Sequence, residues 1–181
     1  MNILSSILGI KVDIRGIPDQ SANLFVSNHV TYLDIIIINK LLPVNFIAKE
    51  EISSWPVIGR LASKTGTLFI KRGDNVESSK MIYEMEERFK LQNKIVFFPE
   101  GKIGNGKRVR KFHYKLFKSI ENKELYIQPI AIRYPTGYPI NNNYSEIISD
   151  KSLKGEMFSL YLKFLMRRRS HVILIFLDKV S

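Results

Sequence analysis

A histidine and an aspartate stand five positions apart in the segment Asn28–Asp34, directly after the apolar run Leu24–Val26. That run is typical of a short buried strand, which places His29 in the turn after it. Residues five apart lie on different faces of a regular helix, so the turn must carry His29 back over the start of the helix that holds Asp34. Asp34 would then accept the Nδ1 proton and leave Nε2 to take a proton from a substrate hydroxyl. The pair predicts a general base, and a turn histidine beside a helix-capping aspartate is the alternative interpretation.

A second candidate group follows the apolar run Ile95–Phe98. Pro99 ends a strand ladder and Gly101 permits a tight turn, so Glu100 is presented at the end of the strand, where turn and cap carboxylates are also common. The residues that come next are strongly cationic, which predicts a site for a phosphate group or an acidic carrier protein. These basic residues are Lys102, Lys107, Arg108, Arg110 and Lys111.

The same loop also matches part of a nucleotide-binding motif. Gly101–Lys107 has the spacing G-x4-G-K, and Val172–Leu177 followed by Asp178 resembles a magnesium-binding strand. The next residue is Arg108, however, whereas the motif needs a serine or threonine hydroxyl there to bind Mg²⁺. A basic protein that only binds a membrane or a nucleotide phosphate stays open as an alternative of another class.

Composition limits the class of protein. We predict a single domain over residues 1–181, because this length supports one well-buried core. The chain contains no cysteine, which excludes a disulfide framework, a zinc-thiolate site and a cysteine nucleophile. A formal net charge of +11 predicts a polyanionic partner, and the lack of any helix-turn-helix, zinc-finger or RNA-recognition pattern argues against nucleic acid. No metal site is predicted, because His113 and His171 have no partner at a ligand spacing.

Two segments are candidates for membrane contact, although no apolar run approaches the roughly 18 to 20 residues that span a bilayer. Residues 1–11 are apolar but lack a basic start and a small-residue cleavage site, so they are predicted to contact a membrane rather than to act as a signal peptide. A helix predicted over Glu156–Arg168 has an apolar stripe and a basic end. It fits either core packing or an anionic membrane surface.

The elements that must position these residues alternate along the chain, which predicts an α/β fold with a mixed, mostly buried sheet flanked by helices. The clearest helix is predicted over Asn75–Leu91, with Asp74 and Glu77 as a capping box. The order of strands in the sheet is not readable from the sequence. Strands are predicted at Leu24–Val26, Asn45–Ala48, Thr67–Ile70, Lys94–Phe98, Ile127–Tyr134 and Val172–Leu177.

Four blocks together resemble the glycerolipid acyltransferases, the family of 1-acylglycerol-3-phosphate acyltransferase. Asn28–Asp34 is similar to the catalytic His-x4-Asp block of that family, and Gly66–Arg72, Phe98–Gly101 and Ile127–Ala131 are similar to its second, third and fourth blocks. The resemblance extends over residues 12–179. It implies an α/β fold of the glycerol-phosphate acyltransferase type, with His29 as the base and Asp34 as its orienting partner.

The resemblance also implies the reaction. A fatty acyl group would move from acyl-CoA or an acyl-carrier protein to the hydroxyl of a lysophospholipid, without an acyl-enzyme or a cofactor. The first expectation for the acceptor is 1-acylglycerol-3-phosphate, which would give phosphatidate, and a lyso-aminolipid is the alternative. Substrate-binding residues are expected at Asn28, Lys71, Arg72, Glu100, Gly101, Lys102 and Arg108.

Two departures from the family pattern affect these expectations. Lys102-Ile103 stands where the family usually has Thr-Arg, and lysine lacks the bidentate fork of arginine, which leaves the acceptor head group open. The membrane-spanning helices that precede this domain in many relatives have no counterpart in the sequence. The resemblance therefore implies a short, monotopic protein that binds peripherally to an anionic membrane surface on its cytoplasmic face.

Overall fold

The computed structural model describes residues 10–31, 33–55, 58–71, 75–104, 108–121, 123–135 and 170–181. Seven strands within these ranges form one sheet: β1 (Ile10–Arg15), β2 (Ala22–Ser27), β3 (Val44–Lys49), β4 (Leu68–Ile70), β5 (Lys94–Phe97), β6 (Tyr126–Arg133) and β7 (Ser170–Phe176). Four α-helices and a 3₁₀ helix accompany them: α1 (Leu33–Leu41), α2 (Glu50–Ser53), α3 (Ile58–Lys64), α4 (Asn75–Lys90) and the 3₁₀ helix Lys115–Ser119.

The order of strands across the sheet is β1-β7-β6-β2-β5-β3-β4. Strands β2 to β6 all run parallel to one another, whereas β7 pairs antiparallel with β6 and parallel with β1. The carboxyl ends of β2, β3, β4, β5 and β6 therefore meet at one side of the sheet, which we call the site edge. Because β2 lies between β6 and β5, the residues that follow these three strands are neighbours there.

The sheet is buried on both faces, which explains the continuous apolar run in β2. Phe25 belongs to a core cluster on one face, which α1 covers, whereas Leu24 and Val26 belong to the cluster on the other face. Helix α4 covers that second face with Met81, Met85 and Phe89. Strands covered on both sides are expected to be apolar throughout rather than alternating.

The predicted α/β class with a mixed sheet and flanking helices is confirmed, and each predicted strand overlaps an observed one. Four predicted strands extend one residue beyond the observed ones: Thr67 stands just before β4, and Phe98, Tyr134 and Leu177 stand just after β5, β6 and β7. Strand β1 was not predicted. Its first residues, Ile10 and Lys11, pair with β7, and contact of residues 1–11 with a membrane stays a prediction. Strand β1 alternates apolar with charged residues, which is typical of a half-buried strand, so the signal was present in the sequence and was missed.

Other predicted features fall outside the described residues. These are the helix over Glu156–Arg168, the capping residue Asp74 and residues 1–9 of the membrane-contacting segment. None of the helices in the described ranges is long and apolar enough to cross a membrane.

Candidate active site

His29 and Asp34 meet at the site edge, in the turn between β2 and α1. The carboxylate Oδ2 of Asp34 lies 2.9 Å from the His29 Nδ1 and also accepts the backbone N–H groups of Val30 at 2.7 Å and Thr31 at 2.9 Å. The turn thus curls around the carboxylate, which is why side chains five positions apart come together. Asp34 is fully buried, at 0% exposed, and a buried carboxylate requires such donors. With Nδ1–H held by Asp34, Nε2 is the proton-accepting nitrogen of a neutral imidazole.

Tyr134 holds the second oxygen of Asp34, a contact that sequence reasoning missed. The Tyr134 hydroxyl, just beyond the end of β6, donates a hydrogen bond of 2.7 Å to Asp34 Oδ1. Burial, reinforced by the charge of Asp34 and by this hydrogen bond, raises the pKa of Tyr134 well above its usual value of 10.0. The hydroxyl therefore stays protonated and acts as a donor. A sequence signal was present only as an aromatic residue at the end of the predicted strand Ile127–Tyr134.

The His29 ring is fixed from its face by Phe98. The two rings are stacked, with centroids 4.0 Å apart and an interplanar angle of 15°. Phe46 supports Phe98 in turn, with their ring centroids 6.3 Å apart. Only 11% of the His29 side chain is exposed. Packing on the face and a hydrogen bond at Nδ1 together define both the plane and the direction of the imidazole, which a general base needs.

Glu100 holds the backbone on both sides of the site. Its Oε1 accepts the backbone N–H of His29 at 3.0 Å, and its Oε2 accepts the backbone N–H of Arg110 at 3.0 Å. The residue is 3% exposed, and the backbone N–H of Gly104 donates to the carbonyl oxygen of His29 at 2.7 Å. These contacts fix the loop after β5 against the His29 turn, and the expected role of Glu100 in the acceptor site stays a prediction.

Asn28 extends the pairing of β2 with β6 through its side chain. Its Nδ2 donates to the carbonyl oxygen of Ile132 at 2.9 Å, and its Oδ1 accepts the Ile132 backbone N–H at 2.7 Å. The amide side chain thus replaces a backbone unit at the point where the chain leaves the sheet. In the described structure, the contacts of Asn28 are with the scaffold, and its expected contact with substrate stays a prediction.

Gly101 occupies a backbone conformation that other residues rarely adopt, with φ of +65°. A Cβ at this position would lie 3.0 Å from the ring of His113, whose backbone N–H donates to the carbonyl oxygen of Pro99 at 2.8 Å. The glycine therefore permits the tight turn and the close return of residue 113. His113 itself is exposed, as expected for a surface histidine.

The cationic candidates surround the site edge at different distances. Lys102 and Arg108 are exposed residues of the loop that Glu100 anchors. Lys71 is also exposed but follows β4, which lies three strands from β2, and this separation is about 14 Å at the usual strand spacing. Arg72 and Lys107 lie outside the described residues. The acceptor-binding roles of all five residues stay predictions.

The described residues do not support the two other chemistries considered. Residues 108–114 form no helix, whereas a phosphate-binding loop of the G-x4-G-K type leads directly into one. No group of three histidine, aspartate or glutamate side chains within the described ranges is placed to hold a metal ion.

Comparison with known proteins gives matches of sequence and of fold. The model of the family described as Acyltransferase matches residues 10–133. A lyso-ornithine lipid O-acyltransferase of Pseudomonas aeruginosa is 36% identical over 131 residues, which cover 72% of this chain and 50% of that protein. A 1-acyl-sn-glycerol-3-phosphate acyltransferase of Neisseria gonorrhoeae is 31% identical over 127 residues, which cover 70% of this chain and 50% of that protein. The chain thus spans about half the length of these relatives.

The fold is similar to a solved structure. The crystal structure of the 1-acyl-sn-glycerophosphate acyltransferase PlsC from Thermotoga maritima superposes with a TM-score of 0.62 and 19% sequence identity. The match covers 98% of this chain and 68% of that chain. At this identity the likeness concerns the fold.

Proposed function

Because the chain belongs to the acyltransferase family, we propose that it transfers a fatty acyl group from a thioester donor to the hydroxyl of a lysophospholipid-type acceptor. The observation that carries the proposal is the oriented pair His29–Asp34, with Nδ1 and Oδ2 2.9 Å apart at the site edge. Asp34 and Phe98 hold the imidazole in one orientation, so that Nε2 serves as the base.

The proposed reaction is a direct transfer. His29 Nε2 takes the proton of the acceptor hydroxyl as its oxygen attacks the thioester carbonyl carbon. The carbon–sulfur bond then breaks, and the imidazolium returns the proton to the thiolate that leaves. The charge of Asp34 stabilises the imidazolium while it exists. No acyl-enzyme intermediate and no cofactor take part.

The acceptor is proposed as 1-acylglycerol-3-phosphate, with a lyso-aminolipid as the second candidate. The exposed cations Lys71, Lys102 and Arg108 support an anionic head group. Arg72 is expected to join them. The second candidate is favoured by the 36% identity to a lyso-ornithine lipid O-acyltransferase. Lys102-Ile103 stands where the family usually has Thr-Arg, which leaves the head group open between the two. Both acceptors offer a hydroxyl to the same base.

We propose further that the protein works at an anionic membrane surface, bound peripherally on the cytoplasmic face, with acyl-CoA or an acyl-carrier protein as the donor. The formal net charge of +11 supports a membrane and either donor, because all are anionic.

The test is acylation of a panel of lyso-acceptors with both donor types in detergent. We compare the native chain with His29→Ala, with Asp34→Asn and with the control Asp13→Asn, whose carboxylate on β1 is 48% exposed. Loss of the base should lower kcat/KM by about 10²- to 10⁴-fold, whereas the control should retain full activity. Undiminished transfer by a folded His29→Ala would overturn the mechanism. A lack of transfer across the panel would favour a binding protein instead.

A further inference from the structure

Residues 108–114 form an exposed surface of cations and apolar side chains, which we call the basic-aromatic strip. Three of its apolar side chains are exposed: Val109 is 62% exposed, Phe112 41% and Tyr114 69%. Exposed Arg108, Arg110 and Lys111 alternate with them. The whole stretch of residues 102–120 contains seven Lys and Arg residues and no Asp or Glu.

The apolar residues of the strip face outward although the next segment of the chain packs into a hydrophobic core. Immediately after the strip, Leu116, Phe117 and Ile120 pack against the core cluster that α4 covers. Phe117 contacts Phe97 edge-on, with ring centroids 5.2 Å apart. The apolar residues after the strip therefore pack into the core, whereas those of the strip are exposed. An exposed apolar group of this kind indicates a contact with another apolar environment.

The strip is tied directly to the candidate active site. The backbone N–H of Arg110 and that of His29 donate to the two carboxylate oxygens of the same residue, Glu100, each at 3.0 Å. Within the strip, the backbone N–H of His113 also donates to the carbonyl oxygen of Pro99 at 2.8 Å. The buried side chain of Glu100 therefore links the backbone of His29 to the backbone of the strip. A surface that contacts the strip consequently lies beside His29.

We propose that the basic-aromatic strip inserts into the head-group region of an anionic bilayer and thereby brings the site edge against the membrane. Cations attract the anionic head groups, while the interleaved aliphatic and aromatic side chains enter the apolar boundary beneath them. An acidic protein surface would use the cations but leave Val109, Phe112 and Tyr114 without a role. The inference rests on the proposed function for its purpose, because a lipid acceptor would then reach His29 from the bilayer.

A fluorescent probe tests the insertion directly. Trp55 is the only tryptophan in the sequence, so Trp55→Phe combined with Phe112→Trp reports on the strip alone. The matched control carries Tyr83→Trp, on the outer side of α4, where the native tyrosine is 61% exposed. Vesicles of phosphatidylcholine with about one third phosphatidylglycerol should shift the emission at position 112 to shorter wavelength. Brominated acyl chains should quench it, with neither effect at position 83.

A second experiment links the strip to turnover. The strip variant replaces the three exposed apolar residues of the strip with serine. The control variant replaces three residues of α4 and its end, which are at least as exposed as their counterparts in the strip. The strip variant should bind the anionic vesicles at least tenfold more weakly and lose the same factor in kcat/KM on a vesicle-embedded acceptor. It should turn over a short-chain monomeric acceptor at the native rate. The strip variant carries Val109→Ser, Phe112→Ser and Tyr114→Ser. The control variant carries Val76→Ser, Tyr83→Ser and Leu91→Ser.

Three results would overturn the proposal. The first is a probe at position 112 that vesicles do not affect although the protein binds them. The second is a strip variant with native vesicle binding. The third is a variant that loses activity only with an acyl-carrier protein as donor, which would assign the strip to an acidic protein. If the probe enters the bilayer but the native chain acylates no acceptor, the surface stands and the proposed function fails.

Discussion

Removal of one hydroxyl, in Tyr134→Phe, deletes one of the four hydrogen bonds that Asp34 accepts. The bond is 2.7 Å long, and its loss leaves Oδ1 of a fully buried carboxylate without that donor. Hydrogen bonds to charged groups contribute about 1.5–3 kcal/mol, so the free energy of unfolding should fall by about 2 kcal/mol. The fold should survive, because Oδ2 keeps the donors of His29, Val30 and Thr31.

The same substitution should change the reaction in a way that a loss of stability alone would not. At the pH optimum, kcat should fall by up to about tenfold, or about 1.4 kcal/mol, because Asp34 is less firmly oriented.

Urea unfolding and the steady-state kinetics of acyl transfer measure the two effects. The matched control is Tyr126→Phe, which removes a hydroxyl from the other end of β6, where the residue is 38% exposed. Phenylalanine keeps the ring at both positions, so the comparison isolates the hydroxyl. If Tyr134→Phe matches the control in both the free energy of unfolding and kcat, Tyr134 does not hold Asp34 as described.

Three further predictions concern the frame of the site. Asn28→Ala removes both hydrogen bonds to the backbone of Ile132, and should lower the free energy of unfolding in urea by about 2–3 kcal/mol; a loss below about 0.5 kcal/mol would contradict the scaffold role. Gly101→Ala should lower it by about 1–2 kcal/mol, because φ is +65°. Adding His113→Ala should recover only a small part of that loss, and full recovery would assign the cost to the His113 contact. Finally, raising the pH from about 9 to about 11 should lower the free energy of unfolding more in the native chain than in the Tyr134→Phe variant. The raised pKa keeps Tyr134 protonated in the folded state, so its contribution is complete below about pH 10 and is lost above it as the unfolded chain ionises; parallel pH curves would contradict this.

The local part of the site was predictable from the sequence, whereas its frame was not. The contact of His29 with Asp34 depends on five residues and a turn, so spacing and the preceding apolar run indicated it. Tyr134 and Phe98 depend on the order of the strands, since each stands after a strand that neighbours β2. Sequence periodicity indicates whether a strand is buried, but not which strands lie beside it. Phe98 and Tyr134 were each predicted as the last residue of a strand.

The fold shows the same division. Strands β2, β5 and β6 were found because burial on both faces makes them apolar, and α4 was found from its periodic apolar face. Strand β1 was missed although its strict alternation of apolar and charged residues is typical of a half-buried strand. Helices α2 and α3 were missed because four and seven residues are too short for a helical period to be distinct.

The hydrogen bonds around the base span very different lengths of chain, and this has a consequence for folding. His29 and Asp34 are five residues apart. The bond between His29 and Glu100 closes a segment of 71 residues, and the bond between Asp34 and Tyr134 closes one of 100. The bond between Asn28 and Ile132 closes a segment of 104 residues. Contacts of such separation form only once much of the loop entropy has been lost. The pair can meet early, but its orientation is completed late, after β2, β5 and β6 have assembled. The His29 amide, bonded to Glu100, should therefore exchange its hydrogen only through a large opening of the sheet.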